Sequence, residues 1–585
     1  MLIKPVIATA LSLLLPFSAS ITYAQASKHQ PAIVDYTTRN HPVIGREGMV
    51  SSQNFIATEI GAEILKQGGN AIDSAVAVGL ALAVTLPRAG NIGGGGFMLV
   101  YIADENRTIA LDFRETAPLL ADKDMFFEID QNGKKVKASR EDYHFSYRSS
   151  AVPGTVAGFD WLLKNYGTMS WKQVAAPAIK LAKDGFIVSD DLASILRTKH
   201  KTLAKHPSTR KIFIKPDGSG YQAGDTLVQK DLAWSLEQLA KGGADAFYQG
   251  AIAKRIAADM QKNNGLISLA DLAKYRVAVR KPISGTYGDA TINAMPAPSS
   301  GGTHVVQMLN ILENFDLEKM GQNSAAAYHL ITEAMKLAYA DRSKYLGDPD
   351  FVDIPTDILT SKAYAKDLAK SISLTNATAA SEIAPGNLAP YESDETTHYS
   401  VMDKDGNAVA NTYTLMFSFG SGVVIEGTGI IMNNNLGNFT LSPDIPDAFG
   451  LMGSADNLIR PGRRPVSSMT PTIVTKNGKP FLLTGSPGGS KIISTVMQQI
   501  LNVLAFDMNL ADATDAPRIH HQWSPDALNL EPGISPDTIK ILEAMGHNTK
   551  TSKTMGSLQS IMYKDGLFFG YSDTRRPGAK TIGLN

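Results

Sequence analysis

The chain has no cysteine in 585 residues, which excludes disulfide bracing, thiol nucleophiles and thiolate-held metals at once. It has no excess of either charge: 56 Lys and Arg face 56 Asp and Glu, so no bulk field favours nucleic acid or an anionic membrane surface. That balance points to a small-molecule partner or to none. Long apolar runs are missing beyond the leader. The most apolar internal stretch, Ala71 to Leu86, carries Asp73 and Gly79 and falls short of the ~20 residues a spanning helix needs. It follows Gly68-Gly69-Asn70, a helix stop and then an N-cap, so it reads as a buried helix and no membrane span is expected. At 43% hydrophobic and 19% charged, the composition is that of a folded globular protein.

Residues 1–24 read as a secretory signal. Lys4 supplies the positive start, Val6 to Pro16 is largely apolar, and Thr22-Tyr23-Ala24 ends in a small residue before Gln25. Cleavage after Ala24 and a periplasmic or secreted bacterial location are the expectations.

Apolar spacing predicts helices over Gln53 to Gln67, Trp171 to Asp184, Asp231 to Ala240, Ala325 to Tyr345 and Ile492 to Leu504. Four glycines, Gly93 to Gly96, run into a strand over Met98 to Ile102. Such a run lets backbone approach backbone or a ligand closely, but a phosphate cradle needs a following helix, and here a strand follows. Residues 373 to 395 lack periodicity and read as an exposed connector. Past it the pattern turns to strand: Thr396 to Met402 and Ala408 to Met416 flank Asp403-Lys404-Asp405-Gly406-Asn407, whose Asp-Gly is a hairpin turn signal. Further strands are predicted at Gly429 to Met432, Thr472 to Thr475 and Pro480 to Leu483.

Thr396 opens that hairpin. A threonine at a new chain N-terminus carries its own general base, the free α-amine, with a pKa of roughly 8. From the local residues alone, an ordinary strand-starting Thr is the favoured reading. The motifs around it decide. Thr396-Thr397-His398-Tyr399-Ser400, Leu111-Asp112-Phe113-Arg114-Glu115, Ser467-Ser468-Met469 and Gly485-Ser486-Pro487-Gly488-Gly489-Ser490 together resemble the γ-glutamyltranspeptidase (glutathione hydrolase) family, as do Asn91 to Phe97 and Pro298-Ser299-Ser300-Gly301-Gly302. The resemblance spans essentially the whole mature chain.

It implies an α+β fold, the four-layer αββα sandwich of N-terminal-nucleophile hydrolases. The inactive precursor would cut itself between Glu395 and Thr396 into a large subunit, 25–395, and a small catalytic subunit, 396–585, which stay together as a heterodimer. The Thr396 hydroxyl would first attack the preceding carbonyl, and afterwards a γ-amide carbonyl. The acyl-enzyme would then pass to water or to an amine or peptide acceptor. Thr414 would orient the hydroxyl, and backbone N–H groups of Gly488 and Gly489 would hold the oxyanion, their missing β-carbons allowing close approach. Arg114, with the Ser467 and Ser468 hydroxyls, would bind the substrate α-carboxylate. Residues Leu441 to Gly453, with Phe449 where many relatives carry Tyr, would form a lid. No cofactor and no metal are implied, and the adjacent His520-His521 pair does not by itself supply tetrahedral ligation.

The chain departs from the family pattern at one point. Relatives hold the substrate α-ammonium with an acidic residue in a segment Asn-Asn-Gln/Glu-Met-Asp-Asp-Phe, helped by an Asn from the hairpin's second strand. Here the segment reads Asn433-Asn434-Asn435-Leu436-Gly437-Asn438-Phe439, and the hairpin position is Met416. Asn438 replaces the aspartate, Asn435 the Gln or Glu, and Met416 offers only a thioether. Glutaryl-cephalosporin acylases of the superfamily also carry Asn for that Asp. A glutaryl amide acylase on the same machinery is therefore the nearest alternative, and a non-catalytic binding protein the remote one.

Overall fold

The computed structural model describes residues 38–383, 396–443, 445, 451 and 453–585. The leader 1–24, Glu395 and the lid's Phe449 lie outside the described residues.

Two seven-stranded antiparallel sheets carry the chain in a mixed α+β fold. The first runs, edge to edge, Lys580–Leu584, Gly48–Ser52, Thr397–Asp403, Ala408–Thr414, Gly95–Ile102, Arg107–Phe113 and Ala278–Arg280. The second runs Val43–Gly45, Leu567–Ser572, Gln559–Lys564, Lys479–Thr484, Thr472–Lys476, Ala290–Ala294 and Ile283–Tyr287. Strand alternation divides the first sheet's side chains between two cores. Val50, Met98, Val100, Tyr399, Val401 and Val409 join the core containing helix Ala71–Thr85. Met49, Phe97, Leu99, Ala408 and Ala410 join Ile292, Val474, Leu482 and Ile561 of the second sheet. Helices Gly301–Leu312 and Lys491–Leu504 belong to this second core. Both strands of the Thr396 hairpin are buried at every position, as a sheet covered on both faces requires.

Local chemistry explains the elements around the site. Helix Phe55–Lys66 is capped by Asn54, whose side chain accepts from Ile56 and Ala57 N–H. Helix Ala71–Thr85 starts with a capping box between Asn70 and Asp73, and all fifteen of its residues are buried. The hairpin turn is held by Asp403, which accepts Asp405 N–H at 3.0 Å and Asn407 N–H at 2.9 Å, with Gly406 at φ 91°. Its second carboxylate oxygen accepts Ala71 N–H at 2.9 Å, tying turn to helix start.

The glycine run is a packing device. A Cβ on Gly93 would stand 2.1 Å from Ile431 O, and one on Gly94 2.1 Å from Thr414 O. These glycines let backbone meet backbone beside Thr414. Two expectations change. Gly429 to Met432 is not a strand: only an isolated bridge, Val424 to Ile431, forms there, in a loop that turns through Gly427 at φ 70° and Gly429 at φ 68°. The connector is not simply exposed either: Ala380 is buried, and Trp523 Nε1 donates to Ala380 O at 3.0 Å and Ile383 O at 2.9 Å. Among the described residues no helix is long and apolar enough to cross a membrane.

Candidate active site

Thr396 and Thr414 come together at the start and end of the hairpin, Oγ1 to Oγ1 at 3.2 Å. Met416 N–H donates to Thr414 Oγ1 at 2.8 Å, which holds that hydroxyl beside Thr396. Both threonines line a small cavity with Met416, Asn438, Ser467, Ser468, Gly489 and Arg342. Arg114 and Asn435 stand behind this wall, both fully buried.

His398, two residues from Thr396, is no base for it. Its Nδ1 meets Thr412 Oγ1 at 2.8 Å, its Nε2 meets Ser400 Oγ at 3.1 Å, and burial pushes its pKa down to about 3. A Cβ on Gly485 would stand 2.4 Å from this ring, so that glycine makes room for the histidine.

Gly488 has φ 134° and Gly489 φ 55°. A Cβ on Gly488 would meet nothing nearer than Gly556 Cα at 3.5 Å, so the positive φ, not close approach, is what calls for glycine there. Helix Lys491–Leu504 begins directly after, with Lys491 N–H donating to Gly488 O at 3.0 Å. The positive end of its dipole thus lies at the cavity, a suitable place for developing negative charge. Tyr339 OH donates to Ser490 O at 2.5 Å and Ser490 Oγ to Gln522 Oε1 at 2.7 Å, bracing the loop from behind.

The Asn435–Asn438 wall is ordered by one buried carboxylate. Glu115 pairs with Arg114 Nη1 at 3.0 Å. Burial pushes the Glu115 carboxyl up and the Arg114 guanidinium down, and each opposes the other's shift. Arg114 also donates to Pro465 O at 3.3 Å, through Nε, and to Asn435 Oδ1 at 3.1 Å. A carboxylate only accepts, so Asn435 turns its Nδ2 to Glu115 and its Oδ1 towards Arg114 and Asn438. Asn438 spends Nδ2 on Asn435 Oδ1 at 3.2 Å, leaving its Oδ1 buried, on the cavity wall and without a partner among the described residues. An orphaned acceptor beside the Thr396–Thr414 pair suits an N–H donor of a bound molecule.

Met416 does not lie in the hairpin's second strand, which ends at Thr414. It sits past the strand at φ 81°, a conformation Asn tolerates better than Met.

Sequence reasoning missed two residues. Glu115 read only as a neighbour of Arg114. Arg342 lies in helix Ala325–Tyr345, which read as scaffold; its signal was an arginine three, four and seven residues beyond Tyr339, Ala338 and Met335, all buried.

The histidine pair is spent on protein contacts: His520 on Ser494 Oγ at 2.8 Å and Gln522 Oε1 at 3.1 Å, His521 on Asp526 Oδ1 at 3.0 Å. His329, Glu333 and His547 bring ligand atoms within 4.8 Å of one another. Lys336 Nζ, 2.8 Å from Glu333 Oε1, already supplies the counter-charge, which opposes a metal cation there.

A family model described as "Gamma-glutamyltranspeptidase" matches residues 57–583. The chain is 51% identical to the glutathione hydrolase proenzyme of Escherichia coli (strain K12) over 587 residues, covering 100% of each. It is 36% identical to the Acylase ACY 1 proenzyme of Pseudomonas sp. (strain SE83), over 94% of this chain and 96% of that one. Among solved structures, the cephalosporin acylase from Bacillus halodurans superposes with a TM-score of 0.82 at 28% identity, covering 95% of this chain and 99% of that one.

Proposed function

This chain belongs to the γ-glutamyltranspeptidase family and is a γ-glutamyltransferase and glutathione hydrolase made as a proenzyme; we propose that Thr396 is the nucleophile of both its self-cleavage and its turnover. The observation that carries this is the Thr396–Thr414 hydroxyl pair at 3.2 Å, at the head of a buried hairpin and on the wall of a cavity. With His398 neutral and engaged, the base suited to the mature enzyme is the α-amine that cleavage between Glu395 and Thr396 releases. The large and small subunits are then 25–395 and 396–585. Two seven-stranded sheets that share one core, with helix Ala71–Thr85 packed in the other, support the four-layer αββα sandwich of N-terminal-nucleophile hydrolases. The leader 1–24 supports export to the periplasm or beyond.

In turnover the Thr396 oxygen attacks the γ-amide carbonyl, the Gly488 and Gly489 N–H groups and the helix end at Lys491 stabilise the oxyanion, and the amine departs. Water or an acceptor amine then takes the acyl group. Ser467 and Ser468 face the α-carboxylate, with Arg114 behind them. Asn438 Oδ1 faces the α-ammonium as a neutral acceptor. That neutrality favours a second reading of specificity: Asn435, Asn438 and Met416 provide no counter-charge for an ammonium, so glutaryl amides are penalised less here than in a site with aspartate. The ratio of kcat/KM for matched γ-glutamyl and glutaryl amides decides between the two, a ratio well above one favouring the γ-glutamyl reading.

The test of the nucleophile is intact mass and N-terminal sequencing of wild type and Thr396→Ala. Two fragments, the smaller starting at Thr396, are expected from wild type only, with turnover in the variant reduced at least ~10³-fold. A wild-type chain that remains whole while cleaving substrate would overturn the assignment.

A further inference from the structure

The motif Pro298-Ser299-Ser300-Gly301-Gly302 and helix Ala325–Tyr345 meet behind the two serines of the cavity wall. Ser467 N–H donates to Pro298 O at 3.0 Å, while Ser467 O accepts Ser300 N–H at 2.8 Å and Ser300 Oγ at 2.9 Å. Ser299 Oγ donates to Met469 O at 2.6 Å. A Cβ on Gly301 would stand 2.0 Å from Thr470 Oγ1, and one on Gly302 2.3 Å from Met295 O. Glycine at both positions lets the motif press against the Ser467–Thr470 segment. Arg342, 7% exposed, donates through Nε to Ser300 Oγ at 3.0 Å and through Nη2 to Ser468 Oγ at 3.4 Å.

These contacts set the direction of every proton on the wall. Arginine only donates, so Ser300 Oγ, receiving from Arg342, sends its own proton to Ser467 O. Ser468 Oγ, receiving from Arg342, keeps its proton for the cavity it lines. Ser467 Oγ is filled in the same way, by Met469 N–H at 3.1 Å. Two hydroxyls on one wall are thus arranged as donors, and a carboxylate, which only accepts, is the group that such a pair selects. Arg342 is also the one charged side chain among the described residues lining the cavity, and its sign matches.

We propose that Arg342 is a positioning residue for the acyl donor's carboxylate: it holds the Ser468 hydroxyl as a donor and, through Ser300, fixes the Ser467 backbone that carries the second hydroxyl. The proposal rests on the reading of the site as a γ-glutamyl site. Its test uses the matured enzyme and two competitive inhibitors that differ at one group: L-glutamate, and its α-carboxamide isoglutamine. Wild type should bind glutamate about tenfold more tightly or better, the value of one charge-assisted bond. In Arg342→Gln this preference should collapse to within about threefold, with donor KM raised and kcat little changed, because a pre-set donor is lost and the nucleophile is not. Arg342→Lys should recover part of the preference, and Ser300→Ala should move it in the same direction as Arg342→Gln. Adding Ser468→Ala to Arg342→Gln should cost less than the two single losses summed, since both act on one group.

A wild-type preference that survives in Arg342→Gln and Ser300→Ala overturns the proposal, as does a loss falling equally on both inhibitors or residing in kcat alone. Should Arg342→Gln fail to mature, Ser300→Ala, which deletes one hydroxyl, carries the same comparison. A wild type that matures yet cleaves no γ-glutamyl amide would instead sink the functional reading, which separates the two failures.

Discussion

On the Ser467–Ser468 wall a formal charge, Arg342, reaches the cavity, whereas on the Asn435–Asn438 wall the nearest carboxylate described, Glu115, stands one amide behind it, fully buried against Arg114. The first wall presents that charge through the Ser468 hydroxyl, which Arg342 holds as a donor. The second can only orient neutral groups: Glu115 turns Asn435, Asn435 turns Asn438, and what is left on the cavity wall is one carbonyl oxygen. The difference teaches that charge removed from a surface does not vanish from its chemistry. It survives as hydrogen-bond direction, which recognises an N–H group but gains little Coulomb energy from its charge.

The sharpest way to break this comparison is to remove the cation behind the neutral wall. Arg114→Ala leaves Glu115 buried and unpaired and should cost ~3–5 kcal/mol of stability, read from chemical denaturation. Restoring neutrality with Arg114→Met and Glu115→Gln together should recover most of that loss. A cost near zero for the single variant would mean that the pair does not order the wall.

A smaller effect sharpens the contrast from the front. Asn438→Asp places a charge where the orphaned carbonyl lies, and should raise the γ-glutamyl to glutaryl ratio of kcat/KM about tenfold, a charge-assisted bond being worth ~1.5–3 kcal/mol. An unchanged ratio would show that the ammonium is held elsewhere.

The smallest effect concerns the hairpin that carries Thr396. His398 has its pKa pushed down to about 3 by burial, against ~6.5 in an unfolded chain. Between those values the unfolded state binds the extra proton, so stability falls as pH drops below ~6.5, by up to ~1.4 kcal/mol per unit from this group. His398→Gln should flatten the slope of stability between about pH 7 and about pH 5 by that amount. A slope that does not change would mean the ring is charged in the folded protein.

Much of this site was readable beforehand because its signals are local. The Asp-Gly turn predicts the hairpin, and the hairpin puts Thr396 and Thr414 opposite each other at its open end. Helix Ala325–Tyr345 begins and ends where its apolar spacing places it. What escaped reading depends on residues far apart in the chain. Arg342 reaches Ser468 across 126 positions and Ser300 across 42, and no periodicity within one helix announces such partners. Asn438 looks like a plain loss of charge until Glu115, over 300 residues away, fixes which of its two amide atoms faces inward. The run Gly429 to Met432 has strand-like residues but no neighbouring strand to ladder with, and composition cannot reveal that.

The order of strands has one more consequence. In the first sheet Gly48–Ser52 lies between Lys580–Leu584 and Thr397–Asp403, and in the second the four strands from Thr472 to Ser572 are bracketed by Val43–Gly45 and Ala290–Ala294. The proposed cut before Thr396 would break a single peptide bond and none of these ladders. The two proposed subunits would be woven through each other, so parting them would mean opening both sheets, and maturation would be a one-way step whose fragments do not trade places between molecules. Two batches matured separately and then mixed, one of them isotope-labelled, should keep their own halves.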